Sequence, residues 1–525
     1  MPSAALPRVT YSNIATDFTP VHEHLDRLIP EVKATVLGRD RPNRIAGRPD
    51  EDGASYAAAS PIDSRVTLGR FVAASPAAID RAVAAAQAAF PDWRCRRWQD
   101  RVAVLRKAAG VLDSRKYELG TACLIEVGKS RLEAIGEAEE AVDLIRYYCD
   151  EMERHGGFQQ PLRRAFPTEE TSDVLRPLGV FAVVAPFNFP LALSVNMTTA
   201  ALLAGNTVVY KPSPMAGLTG ALLVDAFTEA GVPDGVLNLV CGGAEVGRRL
   251  VEHPQVAGVA FTGSYHVGMG IHRALAAGPW AKPLVVEMGG KNPAYVTANA
   301  DLDAAAAGTM RSAFGLQGQK CSACSKVYVH DAVYDDFLAR LAETTGHIRI
   351  GNPEERDIFM GPVIDTRARD RFQAAVADAR RDGSVLLGGE VLSGGLFDHG
   401  LYVQPTVVAG LPADHRINTD ELFLPFLSVL RFTGLDDAIA DGNRVAYGLT
   451  AGIYTQDDGE LERFLDTAEA GVLYANRPSG ATTGAWPGIQ SFCGWKGSGV
   501  SGKGGLGPYY LAQFMREQSR TILRG

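Results

Sequence analysis

Four apolar runs decide the fold: VFAVVAP (180–186), NTVVYKPS (206–213), GVLNLVCGG (235–243) and VAGVAFTGS (256–264). The segments between them are patterned as helices, and short buried runs alternating with helices are the signature of strand–helix–strand units in a parallel sheet. A second alternating region begins near Lys282 with PLVVEMGG (283–290). It continues through a helix from Asp301 and the strand KVYVHD (326–331) to a helix over 334–345. Two α/β domains are the simplest reading. Upstream, residues 75–115 show apolar spacings of three and four and read as consecutive amphipathic helices that cover one face of a sheet. A longer helix over 133–152 follows, ended by Gly156 and Gly157, with its charges read as a solvated face.

The chain of 525 residues exceeds one ordinary folding unit, so two or three domains with sizeable cores are expected. A formal net charge of −8 offers no broad basic surface to phosphates, and nucleic acid is not an expected partner. The start, MPSAALPRVTYSN, lacks the charged and apolar regions of a signal peptide, and no run approaches the roughly 18 apolar residues of a membrane span. A soluble, cytoplasmic protein without membrane contact is expected. Seven cysteines, an odd number thinly spread, argue against a disulfide framework. A thiol of this kind is more often a small buried hydrophobe than a nucleophile.

Nicotinamide dinucleotides need donors for a pyrophosphate and a group at the adenosine ribose. No G-x-G-x-x-G stands at the first strand–helix turn of the sheet, but two strand ends carry polar groups. Lys211 and Ser213 follow one strand, where the ammonium reaches ribose or phosphate oxygens as a point charge. Gly263 and Ser264 follow another and open a helix whose first amides suit a phosphate. Taken singly, a lysine after a strand is usually solvated and Thr-Gly-Ser is usually a helix cap.

A constellation for aldehyde chemistry is also present. Cys321 lies in Gly318-Gln319-Lys320-Cys321-Ser322, a nucleophile beside a cation in a glycine-flanked turn, although Lys320 has solvent as its alternative. Asn188, in the Pro-bounded turn Pro186-Phe187-Asn188-Phe189-Pro190, offers an amide that a cleft would use against an oxyanion. A plain turn asparagine reads the same way. Glu287 closes an apolar strand, where partial desolvation raises a carboxyl towards the range of a general base. Its bland alternative is pairing with Lys291.

Together these motifs resemble the aldehyde dehydrogenase superfamily, in order and over nearly the whole chain, from about Pro61 to Thr521. PFNFP resembles its oxyanion motif, YKPS its ribose-lysine strand, FTGS its pyrophosphate turn, EMGGKN its general-base motif and GQKCS its nucleophile motif. The intervals of 99 positions from Asn188 to Glu287 and 34 from Glu287 to Cys321 agree with the family's spacing. DELFLP (420–425) resembles its acidic–Phe–Pro motif, with Leu424 where a glycine is usual, so Glu421 is expected on the nicotinamide ribose and Phe423 near the ring.

The resemblance implies an α/β fold. Residues 1–160 and 178–288 would form a Rossmann-type parallel-sheet cofactor domain, 289–484 an α/β catalytic domain, and 161–177 with 500–525 a small β oligomerisation arm of a homodimer or larger homo-oligomer. It implies catalysis by Cys321, Glu287 and Asn188, oxidation of a small-molecule aldehyde with NAD⁺, and no metal. Glu287 favours hydrolysis of the thioester over transfer to coenzyme A.

A narrower similarity joins RSAFGLQGQKCSACSKVYV (311–329), MREQSRT (515–521) and EAEEAVDLIRYY (137–148) to the L-glutamate γ-semialdehyde dehydrogenases, also called 1-pyrroline-5-carboxylate dehydrogenases. It implies that Ser322, Gly484 and Ala485 grip the amino-acid end of the substrate, with Phe189 and Phe492 flanking its chain. Trp486, Pro487 and Cys493 depart from that pattern, so another semialdehyde, or an aliphatic or aromatic aldehyde, is the alternative substrate. Two readings from other classes have less support. A thiol–disulfide role for Cys321-x-x-Cys324 lacks a thioredoxin-sized unit, and a non-catalytic binding protein on the same fold has no reason to keep Asn188, Glu287 and Cys321 together.

Pro214 stands where NAD-preferring relatives often carry a carboxylate for the ribose 2′-hydroxyl, so nothing there repels a 2′-phosphate. NADP⁺ is therefore expected to be accepted beside NAD⁺. Steady-state kinetics with both nucleotides should show discrimination below about a thousandfold, or about 4 kcal/mol; a larger ratio contradicts this reading.

Overall fold

The apolar runs become strands because valines and other residues that fill a pleated, buried surface dominate them. A computed structural model, which describes residues 6–14, 16–478 and 485–523, sets them in two seven-stranded sheets. The first comprises β1 (Asn43–Ile45), β2 (Arg48–Asp50), β3 (Val180–Val184), β4 (Thr207–Lys211), β5 (Leu237–Leu239), β6 (Val256–Gly263) and β7 (Leu284–Met288), in the order β7-β6-β3-β4-β5-β1-β2. β3 to β7 are mutually parallel. The N-terminal hairpin β1–β2 adds an antiparallel edge that the sequence reading did not separate from its surroundings.

The chain steps outward from β3 to β5 and then returns to lay β6 on the other side of β3. Where the order reverses, the crevice beyond the carboxyl ends of the strands is left open for ligands. The register keeps those ends level: Val184 lies opposite both Lys211 and Phe261, and Thr262 opposite Glu287.

The second sheet contains β8 (Asn292–Val296), β9 (Cys324–His330), β10 (Ser384–Leu387), β11 (Thr406–Ala409), β12 (Phe426–Phe432), β13 (Thr450–Tyr454) and β14 (Val472–Ala475). Its order is β10-β11-β12-β9-β8-β13-β14, parallel except for β10. Gly289, Gly290 and Lys291 alone separate β7 from β8, so the two sheets meet where Glu287 ends one strand and Cys321 precedes another. Away from both, Glu169–Pro177 pairs antiparallel with Met515–Leu523, and Gln159–Pro161 lies on its other side. Among the described residues no helix is long and apolar enough to cross a membrane.

The amphipathic stretch 75–115 forms helices Pro76–Cys95 and Trp98–Ser114, and Ser75 caps the first by accepting the Ala78 amide at 3.0 Å. Ala78, Ile79, Ala82 and Val83 pack under β3, β4 and β6, one face of the first sheet, as expected, whereas the second helix packs through Leu105, Ala108 and Leu112 against other helices and not beside the first on that face. The long helix, α1 (Arg131–Arg154), ends ahead of Gly156 and Gly157, whose φ values of +56° and +72° a side chain would resist.

Asp150, Glu153 and Arg154 at its end are exposed, but much of its charge is not a solvated face, which corrects the sequence reading. Glu137, Glu139, Glu140 and Glu151 are all buried, with Glu137 completely enclosed. Glu137 pairs with the equally buried Lys129 and accepts the amides of Leu191 and Ala192 at 2.7 and 3.1 Å, at the start of α2 (Ala192–Leu203). A buried carboxylate is tolerable only with such partners. The turn 186–190 is thereby tied to α1. Lys129→Met leaves Glu137 charged, buried and without its cation, and should cost about 3–5 kcal/mol in urea unfolding; a loss below about 1 kcal/mol contradicts the assigned role of the pair.

Candidate active site

The nucleophile loop follows α4 (Leu302–Phe314), which Asp301 caps by accepting the amides of Asp303 and Ala304, each at 3.1 Å. Beyond it Leu316, Gln317 and Gly318 take φ values of +49°, +56° and +64°. Two of these are not glycine, and each such residue costs about 1–3 kcal/mol unless its surroundings hold it. Here they do. Gln317 donates to the Gly128 carbonyl at 3.1 Å, Gln319 accepts the Ile364 amide at 2.9 Å, and a Cβ at Gly318 would lie 2.1 Å from the Leu424 carbonyl oxygen.

Asn292, whose role the sequence did not disclose, completes the clamp. Its amide donates to the carbonyls of Cys321 and Ala323 at 2.7 and 2.9 Å, while its oxygen accepts the Thr450 amide at 3.0 Å. Asn188 donates to the Gln319 carbonyl at 3.0 Å. One of its N–H groups is thus bound to the loop that carries Cys321, two residues before that cysteine.

Cys321 Sγ lies 3.5 Å from Glu287 Oε1. Burial pushes the Glu287 carboxyl up to about 8. The thiol is held well above its ordinary value, first by burial and then by the negative charge of Glu287. Lys320 does not offset this. It is buried, not solvated, and burial lowers its own pKa. The alternative partner of Glu287, Lys291, is also buried and pushed down to about 7, with Glu421 and Asp420 as its acidic neighbours. The resting pair is therefore a neutral thiol beside a carboxyl poised to titrate near neutrality.

Phe189, Glu287, Cys321, Ser322, Ala485 and Phe492 line one cavity of about 300 Å³. Gly484 lies outside the described residues. Two further residues of that cavity, Tyr11 and Glu140, escaped the sequence reading, because one sits in a terminal segment without pattern and the other on a helix face taken as solvated.

Of the proposed nucleotide residues, Lys211, Ser213, Gly263 and Ser264 stand at or just beyond the ends of β4 and β6 in the first sheet, Glu421 and Phe423 stand ahead of β12 in the second, and none lines the cavity of Cys321. Lys211 ends β4, buried, with its ammonium on the Pro212 carbonyl at 3.0 Å and its pKa pushed down to about 8 by burial. Ser213 accepts the Met215 amide at 3.2 Å. Ser264 caps α3 (Tyr265–Ala276), accepting the Val267 amide at 3.4 Å, so the helix-cap reading holds beside any ligand role. Gly263 and Gly268 have no room for a Cβ, which would come within 2.5 Å of Phe261 and 2.4 Å of Met288. Glu421 accepts the Gly290 amide at 3.0 Å across the β7–β8 connection, and burial raises it to about 7. Phe423, at φ +58°, sets its ring edge-on to Phe187 with centroids 5.9 Å apart.

Comparison with known proteins agrees with this arrangement. The profile described as Aldehyde dehydrogenase family matches residues 48–519. A 1-pyrroline-5-carboxylate dehydrogenase of Bacillus mycoides (strain KBAB4) is 37% identical over 493 residues, covering 93% of this chain and 94% of its own. A 1-pyrroline-5-carboxylate dehydrogenase from Thermus, solved with bound NAD, superposes with a TM-score of 0.91 at 32% identity, covering both chains completely. Proline utilization A from Bdellovibrio bacteriovorus gives a TM-score of 0.90 at 36% identity; 95% of this chain is covered, which spans about half, 52%, of that longer protein.

The ionisation of Cys321 is open to direct measurement. Its rate of alkylation by iodoacetamide should keep rising beyond pH 9, and Glu287→Gln, which removes the adjacent negative charge, should move the profile to lower pH. A plateau reached below pH 8 in the unsubstituted protein contradicts the neutral resting thiol.

Proposed function

The chain belongs to the aldehyde dehydrogenase family, and on that premise we propose that it oxidises L-glutamate γ-semialdehyde, the open form of 1-pyrroline-5-carboxylate, to L-glutamate with NAD⁺. The observation that carries the substrate is the single cavity in which the Cys321–Glu287 pair faces Ser322, Ala485, Phe189 and Phe492. Aromatic walls suit a short aliphatic chain, and a hydroxyl with backbone amides suits an α-carboxylate. The similarity to 1-pyrroline-5-carboxylate dehydrogenases over most of the chain supports the same reading.

Catalysis starts when Cys321 Sγ attacks the aldehyde carbon and its proton passes to Glu287 Oε1. The carbonyl oxygen becomes an oxyanion, stabilised by the Cys321 backbone N–H and by the second N–H of the Asn188 side-chain amide, whose first is held by the Gln319 carbonyl. NAD⁺, when bound, would supply the acceptor for the hydride that leaves the thiohemiacetal carbon as the thioester forms. Glu287 releases that proton to solvent and, ionised again, removes a proton from water as its oxygen adds to the thioester carbon. The C–S bond breaks, the acid leaves, and Cys321 is restored.

The residues fit the nucleotide this requires. Lys211 is a buried cation whose depressed pKa reflects lost hydration that ribose or phosphate oxygens would replace. Lys211 and Ser213 would hold the adenosine ribose, Gly263 and Ser264 at the start of α3 the pyrophosphate, and Glu421 the nicotinamide ribose, with Phe423 near the ring. In the same reading residues 1–160 and 178–288 bind nucleotide and 289–484 carry the nucleophile. Residues 161–177 and 500–525 form an arm that joins copies of a cytoplasmic homo-oligomer. Met515–Leu523 supports this last point, being a nine-residue edge strand with Ile522 and Leu523 exposed.

NAD⁺ reduction across glutamate γ-semialdehyde, succinic semialdehyde and simple aliphatic and aromatic aldehydes tests the substrate; preference for an unfunctionalised aldehyde overturns it. Cys321→Ala should abolish turnover. Because a carboxyl raised to about 8 is protonated below that pH and cannot accept a proton from water, thioester hydrolysis should accelerate as pH rises through about 8. Glu287→Gln should erase that inflection and slow hydrolysis about 10²- to 10⁴-fold.

A further inference from the structure

Phe189, Ala192, Leu193 and Asn196 recur at helical spacing, and all four line the cavity that Cys321 and Glu287 share. The first three are apolar, as a methylene chain requires. Asn196, on α2, is the exception, an amide buried to 4% exposure. The aliphatic middle of the proposed substrate has no use for an amide. The hydrolytic half of the reaction, however, has a second reactant, water, which does.

A buried network fixes which way that amide points. The Leu506 backbone N–H donates to the Tyr148 hydroxyl at 3.0 Å, and this hydroxyl donates its own proton to Asn196 Oδ1. The oxygen end of the amide is thereby assigned, and the nitrogen end is opposite. One N–H of Nδ2 goes to the Tyr510 oxygen. Tyr148 and Tyr510 are buried and stacked, with ring centroids 5.6 Å apart and planes at 22°, and Tyr510 meets Phe514 edge-on at 5.2 Å. Gly505 leaves room for the amide, since a Cβ there would fall 2.8 Å from Nδ2. Among the described residues the second N–H of Asn196 has no acceptor. The same turn of α2 also reaches the strand ends that hold Glu287. Thr262, opposite Glu287 in the β6–β7 ladder, donates to Sδ of Met197, the residue after Asn196, at 3.8 Å. The charge of Glu287 is felt at the Tyr510 hydroxyl, which it and burial hold well above the ordinary phenol range.

We propose that Asn196 holds the water that hydrolyses the thioester, with Tyr148 and Tyr510 as the positioning residues that fix its amide. This rests on the thioester chemistry proposed above, not on which aldehyde is oxidised. An ordered water keeps its place through several polar partners, and a carboxylate alone leaves its direction of attack unset. The free N–H of Asn196 donates to one lone pair of the water oxygen, and one O–H donates to Glu287. The other lone pair forms the new C–O bond as Glu287 takes the proton. The C–S bond breaks as the adduct collapses, and its electron pair leaves with Cys321. Acylation uses none of this, because the nucleophile is then Cys321 itself. The amide therefore acts on one half of the cycle.

p-Nitrophenyl acetate separates the two halves: attack by Cys321 releases nitrophenolate in a burst and leaves an acetyl thioester, whose hydrolysis sets the steady phase. Asn196→Leu, of similar volume, should slow the steady phase roughly ten- to hundredfold while the burst rate stays within about twofold, as loss of one buried hydrogen bond warrants. Tyr510→Phe, which removes a single oxygen, should slow the steady phase about three- to tenfold, and it decides the matter if Asn196→Leu does not fold. A purely structural role lowers burst and steady phase together, and an idle amide changes neither. Either result overturns the water site and leaves the proposed function standing. An unsubstituted protein that gives neither a nitrophenolate burst nor NAD⁺ reduction with any aldehyde overturns the thioester chemistry and the water site with it.

Discussion

Parallel pairing at a common register is the constraint on which the site depends. With Val184 level with Lys211 and Phe261, and Thr262 level with Glu287, four strands end along one edge. The reversal of strand order between β3 and β6 keeps connections from covering that edge. Because Glu287 is part of β7, its carboxyl is fixed by ladder hydrogen bonds and not by a loop. The three-residue link to β8 then leaves little freedom in how the second sheet, with Cys321 ahead of β9, meets the first. A longer connection would have uncoupled Glu287 from Cys321.

Held from one side by that link, the nucleophile loop is held from the other by its own conformation. Consecutive residues at positive φ are unfavourable in isolation, and the bonds from Gln317, Gln319 and Asn292 are what make the conformation stable. The electrostatics follow the same logic. A thiolate at rest would be exposed to oxidation and alkylation, whereas a neutral thiol beside a buried carboxyl ionises only as that carboxyl takes its proton. Lys320, by sequence the obvious activator, is too far into the interior to keep a full charge cheaply.

The elements that positioned the site were legible because their signals are local. β-branched runs, Ser75 and Asp301 at helix starts and glycines after α1 need no knowledge of what packs where. Cys321, Glu287 and Asn188 could be picked out by order and spacing, although the direction of the Asn188 amide depends on the Gln319 carbonyl, 131 positions away. What was not legible depends on partners remote in sequence. The short hairpin β1–β2 acquires its place only by pairing with β5, and Tyr11 its meaning only by reaching a carboxylate 129 positions on. The acidic face of α1 looked solvated because nothing near it in sequence announces Lys129, Lys116 or the amides of Leu191 and Ala192 as its partners.

That helix also shows why buried charge has to be sorted by compensation before it is given a role. Glu137 has a cation and two backbone amides, so its negative charge is already met, and its work is to fix α2 and the turn that carries Asn188 and Phe189. Three positions later, Glu140 has only a tyrosine hydroxyl, and burial raises its carboxyl to about 7. A fold has little to gain from a carboxylate left in that condition, since an apolar residue of similar size would pack there at lower cost.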